Sequence, residues 1–277
     1  MALAALIVVA GPVGCAGDSD MERGTQRFLT DIGHGVMGHR SSREELRLPV
    51  EGLVNVEVRN FAGDVVIRGD RPDRTQDALV ILDRRGEHRG FRDKESEASL
   101  PLITWDVRIT PPAGPGEPST LVVEASTTHD EPWYQRLDIE VTIAELGRIT
   151  VETTRGRVQV SNNRGPVDIT TTKGNVRVVT PWPQKLESII VTRDGDIDYR
   201  VRGESSFVLD AETIGGTVKA RCTAGRWTAH DARNDHDSMH ATLNDGGERL
   251  ILRTVDGNIR VGVVEEPGAI GSFIVTP

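Results

Sequence analysis

An eight-residue unit, Thr-x-x-Gly-x-apolar-x-apolar, recurs through the second half of this 277-residue chain and limits its fold more than any other feature. Copies occupy residues 153–160, 162–169, 171–178, 192–199, 213–220 and 254–261, with a degenerate copy at 222–229. Gly156, Gly165 and Gly174 are 9 residues apart, and Gly174, Gly195 and Gly216 are 21 apart. Gly225 follows Gly216 after 9 residues, and Gly257 follows after 32, which implies an insertion.

Glycine admits a turn conformation that other residues resist. The residues two and four places after it are apolar and share one face of a strand, while the residue between them is polar in every copy. One strand of about five residues cannot bury such a face alone, so successive strands must stack. Two faces per rung make a flattened coil of roughly 18–21 residues. Where the spacing is 21 residues, residues 188–191 and 207–211 supply an extra strand. The Thr three places before each Gly is expected to form a hydroxyl ladder with its neighbours at the corner. The fold class expected is all-β: a β-solenoid, meaning a flattened parallel β-helix or β-roll, with a strand-rich N-terminal part. An ordinary antiparallel sandwich with many Gly turns is the competing reading.

The first half supports strands too. Val54, Val56 and Val58 alternate with polar residues, and period-two runs recur at 65–67, 79–82, 104–109, 121–125 and 137–143. The segments 84–100 and 111–119 are polar and read as loops, and no amphipathic helix is expected there. Aromatic residues are only 4% and the net charge is −9, so nucleic acid is not an expected partner.

Residues 2–10 form an apolar run too short to span a bilayer, which takes about 20 residues, but suited to a secretory signal. With Gly14 directly before Cys15, the segment resembles a bacterial lipoprotein signal, in which such a Cys is lipidated and becomes the mature N-terminus. Pro12 stands where that pattern carries Leu, and no Lys or Arg precedes the apolar run. A cleaved signal without lipid and an uncleaved apolar N-terminus are the other readings. Residues 16–46 read as a polar tether, with a short helix around Phe28-Leu29 and Val36-Met37. If Cys15 carries lipid, Cys222 has no partner for a disulfide and reads as a small buried hydrophobe. The expected division is 1–15 signal, 16–46 tether, 47–147 N-terminal β region and 148–277 solenoid.

The unit at 63–67, Gly-Asp-Val-Val-Ile, and the repeats at 153–178, 192–199 and 254–261 are similar to those of the bacterial putative-adhesin family of β-solenoid repeat proteins. The resemblance covers about residues 50–277. It implies an exported protein of uncharacterised function, and it carries no catalytic residue over to this chain.

Few residues offer chemistry. His230, His236 and His240 lie with several Asp residues in the insertion, and the last two would share a face if that segment were helical. A solvated polar loop over 230–248 explains them without a metal. Asp194-Gly195-Asp196 and Asp256-Gly257-Asn258 look like pieces of calcium-binding repeats, but the tandem glycine pattern that calcium rolls need is missing. Trp133-Tyr134 and Trp182 either stack on sugar rings or cover open ends of the core; the second is the simpler reading. No catalytic residue, cofactor or metal site is expected, and the one assigned site is lipidation at Cys15. The chain therefore reads as a non-catalytic adhesin-like scaffold or binding module, held at the outer membrane or cell surface by a lipid. Its partner would be an envelope protein or a glycan. A polysaccharide-active enzyme on a parallel β-helix, or a structural solenoid that self-associates through its ends, are the alternatives.

Overall fold

The computed structural model describes residues 39–69, 77–88, 92–232 and 236–269. Cys15, the signal and most of the tether lie outside the described residues. These described residues are mostly β, arranged as a nine-stranded sheet A and a ten-stranded sheet B.

Seven two-strand rungs make up the body. In each, a strand of sheet B turns a corner into a strand of sheet A. In chain order the rungs are β2 (Leu53–Asn60) with β3 (Val65–Gly69), β6 (Ser119–Thr127) with β7 (Gln135–Ile143), and β8 (Glu145–Arg155) with β9 (Val158–Ser161). Then come β10 (Val167–Lys173) with β11 (Val176–Val179), and β12 (Ser188–Asp194) with β13 (Ile197–Arg202). The last two are β14 (Phe207–Thr213) with β15 (Val218–Cys222), and β18 (Arg249–Thr254) with β19 (Ile259–Val264). Every rung-to-rung pairing is parallel in both sheets.

The stack is not wound in sequence order. The β2/β3 rung lies between β6/β7 and β8/β9, and β18/β19 slots between β12/β13 and β14/β15. A stack in chain order is therefore not what forms: the order of the rungs is exchanged near each end. The sheets also run without interruption past residue 147, since β2 pairs directly with β8.

Antiparallel strands close the ends. β1 (His39–Pro49) and β4 (Asp77–Glu87) extend sheet A beyond β7, and β5 (Ile103–Thr110) extends sheet B beyond β6. At the other end β16 (Trp227–Ala232) and β17 (Ser238–Leu243) extend sheet B beyond β14, while sheet A stops at β15. Four expectations are corrected here. Residues 39–46 belong to a strand rather than to the tether. The segment 84–100 holds the end of β4 and a short helix, α1 (Asp93–Ser99). The degenerate copy at 222–229 is no rung, because it leads into the β16–β17 hairpin. That hairpin takes up most of the expected loop at 230–248, because Met239, Ala241 and Leu243 recur every second residue and face the inward side chains of β14.

Between the sheets lies one aliphatic core, drawn from every rung. Its largest side chain, Tyr199, is fully buried, and burial pushes its phenol well above the usual range; its hydroxyl bonds Ser188. Backbone contact at the turns explains the repeat. Gly63, Gly156, Gly174, Gly195, Gly257 and Gly216 form one column, and a Cβ on any of the last five would stand 1.9–2.2 Å from the carbonyl oxygen of the glycine in the next rung. Gly165 belongs to the opposite corner, where it sits on Gly147.

Candidate functional site

The corner residues that suggested chemistry are used to join rungs. The Thr hydroxyls do not bond one another. Thr192, Thr213 and Thr254 donate instead to the carbonyls of Gly174, Gly257 and Gly195 one rung away, at 3.3, 2.8 and 3.0 Å. Asn60 holds the same position in its rung and donates to the Leu137 carbonyl. The residue after each Gly works in the same direction. Asn175 Oδ1 accepts the Asp196 N–H at 2.9 Å, Asp196 Oδ1 accepts the Asn258 N–H at 2.8 Å, and Asn258 Oδ1 accepts the Thr217 N–H at 3.1 Å. The calcium-like fragments are thus a ladder of side-chain caps. Among the described residues no group of three or more His, Cys, Asp or Glu is placed to hold a metal.

The insertion histidines do not share a helical face. His236 is in the turn of the β16–β17 hairpin and His240 is on β17; nothing is described of the His230 side chain. His240 instead meets Asp210, an acid that alternation along β14 points outward from sheet B. Arg249 and Arg253 of β18 reach the Asp210 carboxylate at 2.6 and 2.7 Å, and His240 Nδ1 lies at 3.2 Å. Burial alone would raise the Asp210 pKa, but Arg253, Arg249 and His240 outweigh it and hold the carboxyl below its usual range. A carboxylate held ionised by two guanidiniums is a poor proton donor. The sequence signal for this cluster was the parity of Phe207, Leu209 and Ala211, all inward, with Asp210 between them.

The aromatic candidates are separated. Trp133 is exposed beside Tyr134, whose ring stacks on His88 at 4.8 Å. Trp182 is partly exposed, with the Arg164 guanidinium 4.4 Å from its ring centre. Neither caps the core. Cys222 is free and half-buried on β15, where it packs against the core without being enclosed by it as the sequence reading expected.

Near the N-terminal end, His88 is buried and bonds the equally buried Ser96 hydroxyl at 3.1 Å. Burial lowers its pKa, Arg92 and His129 add to that, and Glu95 and Glu131 oppose it. A sealed serine cannot serve as a nucleophile, so the pair reads as structural. Its sign has a consequence. The unfolded chain takes up a proton near pH 6.5, while the folded chain resists it, so stability falls as pH drops through about 6.5. Melting curves should show this slope below about pH 6.5, and His88→Phe should flatten it. Carboxylates held low, such as Asp210 and Asp64, lose their contribution only in more acid solution, below about pH 4. An unchanged slope in the variant would rule His88 out as its source.

Residues 135–262, a little under half of the chain, match the family model described as Toastrack DUF4097. A putative cell adhesion protein from Clostridium sporogenes superposes with a TM-score of 0.56 at 11% identity, covering 80% of this chain and 99% of that one. A putative adhesin from Bacteroides fragilis covers 80% of this chain and 97% of its own at 12% identity, with a TM-score of 0.27. A putative lipid binding protein from Parabacteroides distasonis covers 82% of this chain and 95% of its own at 8% identity, with a TM-score of 0.24. The Clostridium likeness shows a shared fold and no more; the other two superpose too loosely to bear on this chain. No curated protein matches the sequence.

Proposed function

From the match of residues 135–262 to the Toastrack family model, we propose that the chain is a non-catalytic binding module exported to the cell envelope. We read its stack as a β-solenoid with exchanged rungs, which serves as a rigid scaffold. The observation that carries the reading is the pair of long sheets with a dry core, whose outward side chains come from every rung. Such a body presents broad faces, and several of its acids are engaged by cations. Asp210 with Arg249 and Arg253, and Asp138 with Arg85 and Arg136, are the clearest cases. Function resides in such sites rather than in the fold itself. The partner proposed is an envelope protein or a glycan.

Attachment through a lipid on Cys15 completes the proposal. The expected result is that the wild-type chain fractionates with membranes, whereas Cys15→Ser is released or remains unprocessed. Unchanged fractionation and mass would remove the anchor. The purified Cys15→Ser chain should also be retained on immobilised envelope material without releasing reducing sugar ends. Glycan turnover that disappears when a carboxylate cluster is removed would replace the module by an enzyme.

A further inference from the structure

We propose that the outward face of β11, β13, β19 and β15 binds a linear, carboxylate-bearing polysaccharide. This rests on the binding-module reading and names its surface and ligand class. The four strands are neighbours at the C-terminal end of sheet A. Their register sets Arg177, Asp198, Arg260 and Lys219 in one row across the face. In the next row Arg200 and Arg221 flank Gly262, and Arg202 lies beyond Arg200 on β13. The face thus carries six cations and one carboxylate, on a chain whose net charge is −9.

The excess is local. On the N-terminal half of the same sheet the charges balance: Arg68 with Glu140, Arg157 with Asp64, Arg85 with Asp83 and Arg136 with Asp138. On the C-terminal half, Asp198 is shared by Arg177 and Arg200, while Arg260 and Arg202 reach only the rim acids Asp196 and Glu204. Lys219 and Arg221 are exposed and have no ion pair among the described residues.

Part of the array is rigid. The Arg200 side chain is only 13% exposed, and its Nε and Nη2 bond the two Asp198 oxygens at 3.0 and 2.9 Å. Gly262 contributes no side chain, so a shallow floor lies between Arg200 and Arg221, two strand spacings or about 10 Å apart. Four strands repeat cations over roughly 14 Å of stack.

The geometry selects the ligand. A compact phosphate needs donors that converge, and these are spread over a plane. Single-stranded nucleic acid needs aromatic stacking platforms, and no outward residue of these four strands is aromatic. A sugar polymer with a carboxylate on each residue matches a flat array, and guanidiniums bind carboxylates in paired hydrogen bonds.

The test uses the purified full chain with three polymers of similar length: alginate, neutral dextran and oligo-dT. Alginate should bind, dextran should not, and oligo-dT should bind more weakly than alginate. The double variant Lys219→Glu/Arg221→Glu should weaken alginate binding at least tenfold. Lys173→Glu/Lys185→Glu makes the same change in net charge at exposed residues off this face, and should alter it less than twofold. Matching melting curves would show that all variants are folded. Equal losses in both double variants, or tighter binding of oligo-dT, would overturn the inference. Failure to bind alginate would also overturn it, while leaving the module free to bind a protein. Shortening of the bound alginate would instead sink the non-catalytic reading and leave the face in place.

Discussion

Val176→Asp is expected to lose several kcal/mol of stability, while Arg177→Gln, one residue along, loses well under about 1 kcal/mol. Val176 is 1% exposed and lies in register between Val158 on β9 and Ile197 on β13, all inside one aliphatic core. A carboxylate there has no partner and no water, and an isolated buried charge costs far more than the methyl groups removed. Arg177 points the other way, with its side chain 47% exposed and 3.6 Å from Asp198. Glutamine is the suitable control, because an aspartate at 177 would oppose Asp198 across the ladder and add repulsion of its own. Denaturant titration of both variants decides the matter. Equal, small losses would mean that Val176 does not sit in a packed strand.

The alternation that predicts this contrast was legible in the sequence, since period two places neighbouring side chains on opposite faces. So were most of the turns, because a glycine stands where sheet B turns into sheet A in every rung but β6/β7, whose connection over 128–134 has none. Rung order was not legible. The unit at 254–261 shares its Thr, Asp, Gly and first apolar Ile with the one at 192–199, so the repeat alone does not say which neighbours it stacks on. Only the length and path of β16 and β17 bring β18 back between β12 and β14. The degenerate copy at 222–229 misled for a related reason: its spacing fits, but Gly225 is not stacked in the column with Gly216 and Gly257. The insertion read as a solvated loop because its polar residues hide the short alternation of Met239, Ala241 and Leu243 that makes β17 a strand. Parity turns Asp210 outward, but its partners and the cation face were not legible, because each draws on strands far apart in sequence. Lys219 meets Arg260, and Asp210 meets Arg249, only through parallel pairing that one strand cannot disclose.

The Thr-x-x-Gly unit fixes its glycine by space as much as by conformation, so Gly174→Ala is expected to cost more than about 4 kcal/mol, a loss seen for few single substitutions. Gly174 has φ of 145°, where an L side chain is strained, and its Cβ would stand 2.0 Å from the Gly156 carbonyl oxygen. The obstacle is backbone, and that backbone is tied to the rung of Gly174: the Gly156 N–H donates to the Lys173 carbonyl and the Val158 N–H to the Asn175 carbonyl. Relief would require parting two rungs, which breaks ladder bonds in both sheets. Gly216 and Gly257 separate the two causes. Neither lies in the left-handed region, yet a Cβ on either would stand about as close to the next glycine's carbonyl, at 1.9 and 2.0 Å. Gly52 gives the converse control, with φ of 63° and nothing within 4 Å of a built Cβ. Gly52→Ala should therefore show the conformational cost alone, about 1–2 kcal/mol. Gly257→Ala should show most of the steric cost without it. If Gly174→Ala lost no more than Gly52→Ala, the close stacking of rungs at this corner would be refuted, and with it the physical reason for the repeat.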